Sequence, residues 1–302
     1  MWTRYSSATE QQRTKTKITF YLLLLFAISI PLYWPIVRER SIDAGNDFFV
    51  LGLMWSAGIA GLITRLVFEK SVRGMGWKWG RWKYQWASYF IPIAYSSVVY
   101  IPLLLAGYGK FARKAANAQP LLHSFGLHTT STAVLVAVSI AFDATVSVIP
   151  NGIVGMGENL GWQGFLVPEL AKITSYTRLS LIVGILWFIH HLPVILWADY
   201  RGRGPLWLGV LCFGIEIVSS SFIAAWMRLK SGSVWTAVLL HAMHNIFVQG
   251  VFDGMIRPTP LTAYLAGEFG IGIAISTTVV AYLLWRRRSE LPEVGRKDEL
   301  KD

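Results

Sequence analysis

Three short segments place acid–base and amide side chains inside apolar stretches: Glu158-Asn159-Leu160-Gly161-Trp162-Gln163-Gly164, Trp187-Phe188-Ile189-His190-His191-Leu192-Pro193 and His241-Ala242-Met243-His244-Asn245. An ionisable group at membrane depth is expensive, so it marks a functional site by default. Each group alone has a plainer reading. A membrane histidine can be an interhelical hydrogen-bonder, Asn245 packing glue, and Glu158 an interfacial residue. Four costly groups in three runs call for a shared reason. Residues four apart share a helix face, so His241 projects with Asn245 and Trp187 with His191. If those helices pack together, a carboxylate, two imidazoles and an amide meet in a partly dry pocket. Such a set can hydrolyse a bond. Glu158 takes a proton from water, a histidine helps polarise that water, and an imidazole or amide N–H holds an oxyanion.

The elements that must position these groups are apolar helices. The chain has 302 residues, of which 54% are hydrophobic, and a mean hydropathy of +0.46. A soluble domain sits near 45–50% apolar. The excess is gathered in runs of about 20 residues, the length that crosses about 30 Å of hydrocarbon. The expected fold is all-α: a polytopic membrane helix bundle of about eight spans, at 18–37, 48–68, 86–107, 130–150, 178–198, 205–226, 232–252 and 262–285. A further helical piece over 156–173 carries Glu158, following a bend expected at Pro150-Asn151-Gly152. The expected organisation is an N-terminal arm (1–17), a transmembrane domain (18–285) and a charged, disordered tail (286–302).

The net charge of +11 would suggest nucleic acid in a soluble protein. Here Lys and Arg crowd the ends of apolar runs, so topology and anionic lipid explain them. The N-terminal arm, the 65–83 connection, the Arg228–Lys230 turn and the tail share one basic face, which places both termini in the cytoplasm. Lys110, Arg113, Lys114, Arg201 and Arg203 fall on the other face. Trp77-Lys78-Trp79-Gly80-Arg81-Trp82-Lys83-Tyr84 alternates rings and cations; between two spans it reads as an interfacial elbow rather than a base-stacking strip. One cysteine, Cys212, excludes an intrachain disulfide and a thiolate metal cluster.

The order Glu-x-Leu-Gly-Trp-x-Gly, Trp-x-x-x-His-Leu-Pro, His-x-x-x-Asn resembles the CPBP group, the CAAX-processing and bacteriocin-processing (Abi-type) intramembrane endopeptidases. The resemblance covers about 150–250, the catalytic half. It implies that Glu158 is the general base, His191 its partner in activating water, and His241 with Asn245 the oxyanion donors. Asn159, Gln163, Trp187 and His244 are expected as supporting residues. The family often has a second glutamate where Asn159 stands and an arginine where Gln163 stands, as though an ion pair had become an amide pair. His190 is expected to make a local hydrogen bond. Asp143 and Glu216 are secondary candidates, for a water path or a buried pairing, and His123 and His128 read as surface residues. The resemblance implies a metal-free hydrolase without cofactor. The alternative is zinc on Glu158, His191 and His241, although the helical His-Glu-x-x-His pattern is absent.

The expected partners are a peptide or membrane-tethered protein substrate and membrane lipid, with no nucleic acid, in a bacterial plasma membrane. Cleavage is expected near the cytoplasmic face. A proton-coupled transporter using the same groups, or a non-catalytic scaffold of the same fold, are the competing readings. No internal repeats of the kind transporters carry are evident.

Overall fold

Backbone polar groups in lipid must be satisfied within their own segment, so apolar runs of this length become helices. The computed structural model describes residues 2–45 and 47–292, with side chains described from Thr9 onward. It shows α1 (Trp2–Glu39), α2 (Phe48–Glu69), α3 (Trp82–Leu103), α4 (Ala112–Ser124), α5 (Thr132–Thr145) and α6 (Val148–Asn159). A wide π-helical stretch, Leu160–Leu166, leads into the single turn α7 (Val167–Leu170). Then come α8 (Tyr176–Trp197), α9 (Leu206–Ser231) and α10 (Trp235–His244), the last continued by a second π-helical stretch, Asn245–Phe252. The short α11 (Asp253–Met255) and α12 (Pro260–Leu265) precede α13 (Ile271–Arg286). The one β-type pairing among the described residues is the bridge Gly109–Ile256.

The architecture is the expected all-α membrane bundle. Five helices (α1, α2, α3, α8 and α9) are long and apolar enough to cross a membrane, and a sixth crossing results if the bent pair around α5 and α6 is one span. The other two expected spans are helical but weaker. α13 has 16 residues, a rise of about 24 Å, short of the hydrocarbon thickness. α10 carries the polar His241 and His244, and Asn245 begins the stretch after it, which dilutes the apolar character of that span. The expected disordered tail falls partly outside the described residues: α13 continues to Arg286, and a short 3-10 turn covers Arg288–Glu290.

The bend in the fourth span is real but lies before Pro150-Asn151-Gly152. α5 and α6 meet at 42°, and the break is at residues 146–147. Pro150 instead occupies the first turn of α6. There its missing N–H removes no intrahelical bond, so it starts the helix rather than kinking it.

Two sets of contacts define the two ends of the bundle. At one end lie the start of α1, the 70–81 connection, the α9–α10 turn and the end of α13. Lys17 and Arg65 pair with Glu69 and Glu169 there, the Val234 N–H donates to the Gly76 carbonyl, and Lys230 pairs with Glu290. The Trp77–Tyr84 segment folds as an elbow against α10: the Trp235 indole N–H donates to the Trp77 carbonyl. At the other end the Ile42 N–H donates to Asp199, and Lys110 and Arg257 tie the end of α3 to the segment after Met255.

The packing that carries Glu158 into place rests on small residues. α6 lies between α2 and α10. A Cβ on Gly161 would sit 2.4 Å from the Ala57 backbone carbonyl, and one on Gly58 would sit 2.4 Å from the Gly157 carbonyl oxygen. Such stripes let membrane helices approach closely. Because the obstacle at Gly161 is backbone, it cannot yield by a rotamer change. Gly161→Ala is expected to destabilise the fold by about 1–3 kcal/mol or more, as overpacking does, read as a lower unfolding midpoint in detergent. Gly254→Ala, which meets no atom within 4 Å, is the matched control and should leave the midpoint unchanged.

Candidate active site

Glu158 is the next-to-last residue of α6, with a side chain 3% exposed. It is buried within the bundle, against the plainer reading of Glu158 as an interfacial residue. The helical path runs on through Leu160–Leu166 to Leu170, which leaves the carboxylate inside the bundle. The Trp187 indole N–H donates to its Oε2 at 3.2 Å. His191 Nε2 lies 3.8 Å from Oε1, and His241 Nδ1 lies 3.7 Å from Oε2. The two imidazoles thus flank the two carboxylate oxygens from α8 and α10.

Hydrogen bonds fix what each ring offers. His191 Nδ1 is 2.9 Å from the Trp187 carbonyl, one helical turn back. A carbonyl only accepts, so Nδ1 carries the proton, and in the neutral ring Nε2 presents its lone pair toward Glu158. His241 is set the opposite way. The Asn159 amide nitrogen donates to the Gly155 carbonyl at 2.8 Å and approaches His241 Nδ1 at 3.2 Å. An amide nitrogen only donates, so Nδ1 accepts and the His241 proton is on Nε2.

Asn245 follows His241 by one turn and lines the same cavity, a space of about 290 Å³. Both wide stretches abut site residues: Leu160–Leu166 follows Glu158 and Asn159, and Asn245–Phe252 begins at Asn245. π-helical insertions are frequent at functional sites because they re-aim side chains within a helix. Glu158, Asn159, Trp187, His191, His241, His244 and Asn245 all line the cavity.

Gln163 does not. Its side chain is fully buried and neither amide atom has a hydrogen-bond partner among the described residues. The amide pair expected between Asn159 and Gln163 is therefore not formed. The widened helix turns residue 163 away from the cavity, and Arg228 of α9 donates to its backbone carbonyl at 3.0 Å.

His190 also departs from expectation. Its contacts are tertiary rather than local: Nε2 lies 3.0 Å from Ser29 Oγ and 3.3 Å from Ser56 Oγ, on α1 and α2. The Tyr33 hydroxyl donates to its backbone carbonyl. Asp143 pairs with the buried Lys114. His123 and His128 are exposed, as expected.

A second polar group occupies the same cavity. His244 Nδ1 is 2.6 Å from the Tyr95 hydroxyl and 3.7 Å from Glu216 Oε1, and its Nε2 is 3.9 Å from Glu268 Oε2. Ser220 donates to Glu216 at 2.6 Å, and Gln249 to Glu268 at 2.9 Å. Sequence reasoning missed Glu268. The signal was there: it lies within the apolar run expected over 262–285, where any carboxylate is a candidate.

This geometry coincides with a family match. Residues 140–247 match the family model of the Rce1-like type II CAAX prenyl endopeptidases. Over those residues the chain is similar to the CAAX prenyl endopeptidases. A stretch of 94 residues, 30% of the chain, is 31% identical to the CAAX prenyl protease 2 of Methanococcus maripaludis. That match spans 34% of the relative's length. The matched region contains every residue expected at the site, from Glu158 to Asn245, and excludes Glu268.

Proposed function

We propose that this protein is an intramembrane endopeptidase resembling the CAAX proteases, cutting a peptide bond of a membrane-associated peptide or protein with a water activated by Glu158. One observation carries the reading. A single buried carboxylate lies within 3.8 Å of two imidazoles of opposite tautomer, on a cavity inside an apolar bundle. A water between Glu158 Oε1 and His191 Nε2 would face two acceptors, donate a proton toward each and turn a lone pair to the substrate carbonyl. His241 Nε2–H and the Asn245 amide would then receive the developing oxyanion. Glu158 would pass the proton to the leaving amine. The test is cleavage by the purified, lipid-reconstituted protein of a panel of membrane-tethered peptides in ¹⁸O-labelled water. Hydrolysis puts the label in the new carboxylate. No cleavage by a folded, monodisperse preparation across the panel would sink the reading.

A second reading has an observation of its own. One ligand atom each from Glu158, His190 and His191 can be drawn within 4.8 Å of one another, close enough to hold a metal ion. The set differs from the one expected from sequence, with His190 in place of His241. We favour metal-free hydrolysis because a metal on Glu158 would occupy the only carboxylate among the described residues placed to act as base between the two imidazoles. Activity is therefore expected to survive a chelator small enough to enter the cavity. Stoichiometric zinc, with activity lost on its removal and regained on its return, would establish a zinc hydrolase instead.

A further inference from the structure

The cavity that holds Glu158 is lined by three carboxylates, Glu158, Glu216 and Glu268, and among the described residues by no Lys or Arg. Glu158 has an imidazole beside each of its oxygens. Glu216, on α9, and Glu268, on the connection between α12 and α13, share a single imidazole, that of His244. Its Nδ1 faces Glu216 at 3.7 Å and its Nε2 faces Glu268 at 3.9 Å. One imidazolium cancels one negative charge at most. With both carboxylates ionised, the pair keeps a net negative charge whatever the state of the ring.

Hydrogen-bond donors are short at the same place. The Glu216 side chain is 3% exposed, and its Oε1 accepts from Ser220. Its Oε2 accepts no hydrogen bond among the described residues, although a carboxylate can accept about four. His244 does not supply one, because its Nδ1 is engaged by the Tyr95 hydroxyl at 2.6 Å. Ionised, that oxygen is a buried charge without a donor. Protonated, it is a buried O–H without an acceptor. Either state is costly until something in the cavity pairs with it.

Position indicates what that partner is. His244 directly precedes Asn245, the oxyanion donor proposed above, and Gln249, which donates to Glu268, lies in the π-helical stretch that Asn245 begins. The acidic wall therefore borders the place where the substrate carbonyl would sit. A small metal ion suits it poorly, since the two carboxylates face opposite ring nitrogens of one imidazole, whereas a metal gathers its ligands into one sphere. The described groups that can close around a metal are instead Glu158, His190 and His191. An ammonium offers three N–H donors and a guanidinium five, and both carry the missing positive charge.

We infer that Glu216 and Glu268, with His244 held between them, form a subsite for a basic side chain of the substrate, so that the peptide carries lysine or arginine close to the bond that is cut. This deepens the proposed peptidase reading and rests on it. The two glutamates bind and select; Glu158 remains the base.

The test uses the purified full-length protein in lipid and lipid-tethered peptides with uncharged ends. The peptides are identical except for one residue, lysine, arginine or norleucine, which is walked along the sequence. Norleucine keeps the carbon chain and removes the ammonium. At one position lysine or arginine should raise kcat/KM over norleucine at least about tenfold, the low end for a charge-assisted hydrogen bond, and mainly through KM. Glu216→Gln and Glu268→Gln keep the side-chain shape, and each should bring that ratio toward one; either variant decides the matter if the other fails to fold. Binding of the same peptides to Glu158→Gln, read by photocrosslinking, should show the same preference. Equal handling of all three residues at every position, in cleavage or in crosslinking, overturns the subsite. So does a preference that survives in a folded glutamine variant, or one that appears only with an added divalent cation. A charge preference in crosslinking with no cleavage by the wild type defeats the peptidase reading alone, and cleavage without the preference defeats the subsite alone.

Discussion

Glu158→Gln is expected to lower kcat/KM for an authentic substrate at least about 100-fold, the lower bound for losing a positioned general base. The substitution keeps the shape of the side chain. Its amide oxygen still accepts from the Trp187 indole, which lies 3.2 Å from Oε2 in the native protein. Its amide nitrogen can face Nε2 of His191, which lies 3.8 Å from Oε1 in the native protein. What disappears is the one group between the imidazoles able to take a proton from water. Folding should not suffer, because the change removes a poorly solvated carboxylate from a dry site. The measurement is kcat and KM beside the unfolding midpoint of the same preparation. A variant as active as wild type would refute the catalytic assignment. Glu216→Gln provides the contrast. Glu216 shares the cavity but pairs with Ser220 and His244, so its loss should weaken activity far less. A cellular phenotype that survives Glu158→Gln but not deletion of the protein would favour a scaffold.

The residues that make this experiment worth doing were legible in the sequence for a simple reason. Polar groups in apolar runs are costly enough to be conspicuous, and helix periodicity says which of them share a face. That put His241 with Asn245 and Trp187 with His191, and all four reach the cavity. What periodicity could not show is where a helix stops being regular. Both motifs at helix ends run into π-helical stretches. The resemblance suggested an Asn159–Gln163 amide pair, whereas the widened path buries Gln163 elsewhere. The bend of the fourth span was misplaced for a related reason: Pro150 looked like a breaker but sits in a first turn that tolerates it. His190 was assigned a local bond because its real partners, Ser29 and Ser56, are more than 100 residues away on α1 and α2, and nothing in a single sequence marks that contact. Glu268 is as conspicuous as Glu158, a carboxylate within an apolar run. The rule that found Glu158 applies to it equally.

Asn245→Ala and His241→Ala should each lower kcat by about 10²–10³, the cost of removing one oxyanion donor, with KM changed little. The two side chains lie one turn apart, and the donor role of His241 depends on where its proton sits. Asn159 decides that, since its amide nitrogen approaches Nδ1 at 3.2 Å and leaves the proton on Nε2. Asn159→Leu keeps the volume but removes the donor. It should release the tautomer and lower kcat by less than the loss of His241 itself. If His241 and Asn245 serve the same oxygen, removing both should cost less than the two single effects combined, because either loss already leaves the intermediate poorly held. Fully additive losses would mean that the two residues act on different steps. An effect confined to KM would place them in substrate binding. Asn159→Leu with wild-type kcat would show that the Nδ1 contact does not govern the His241 donor.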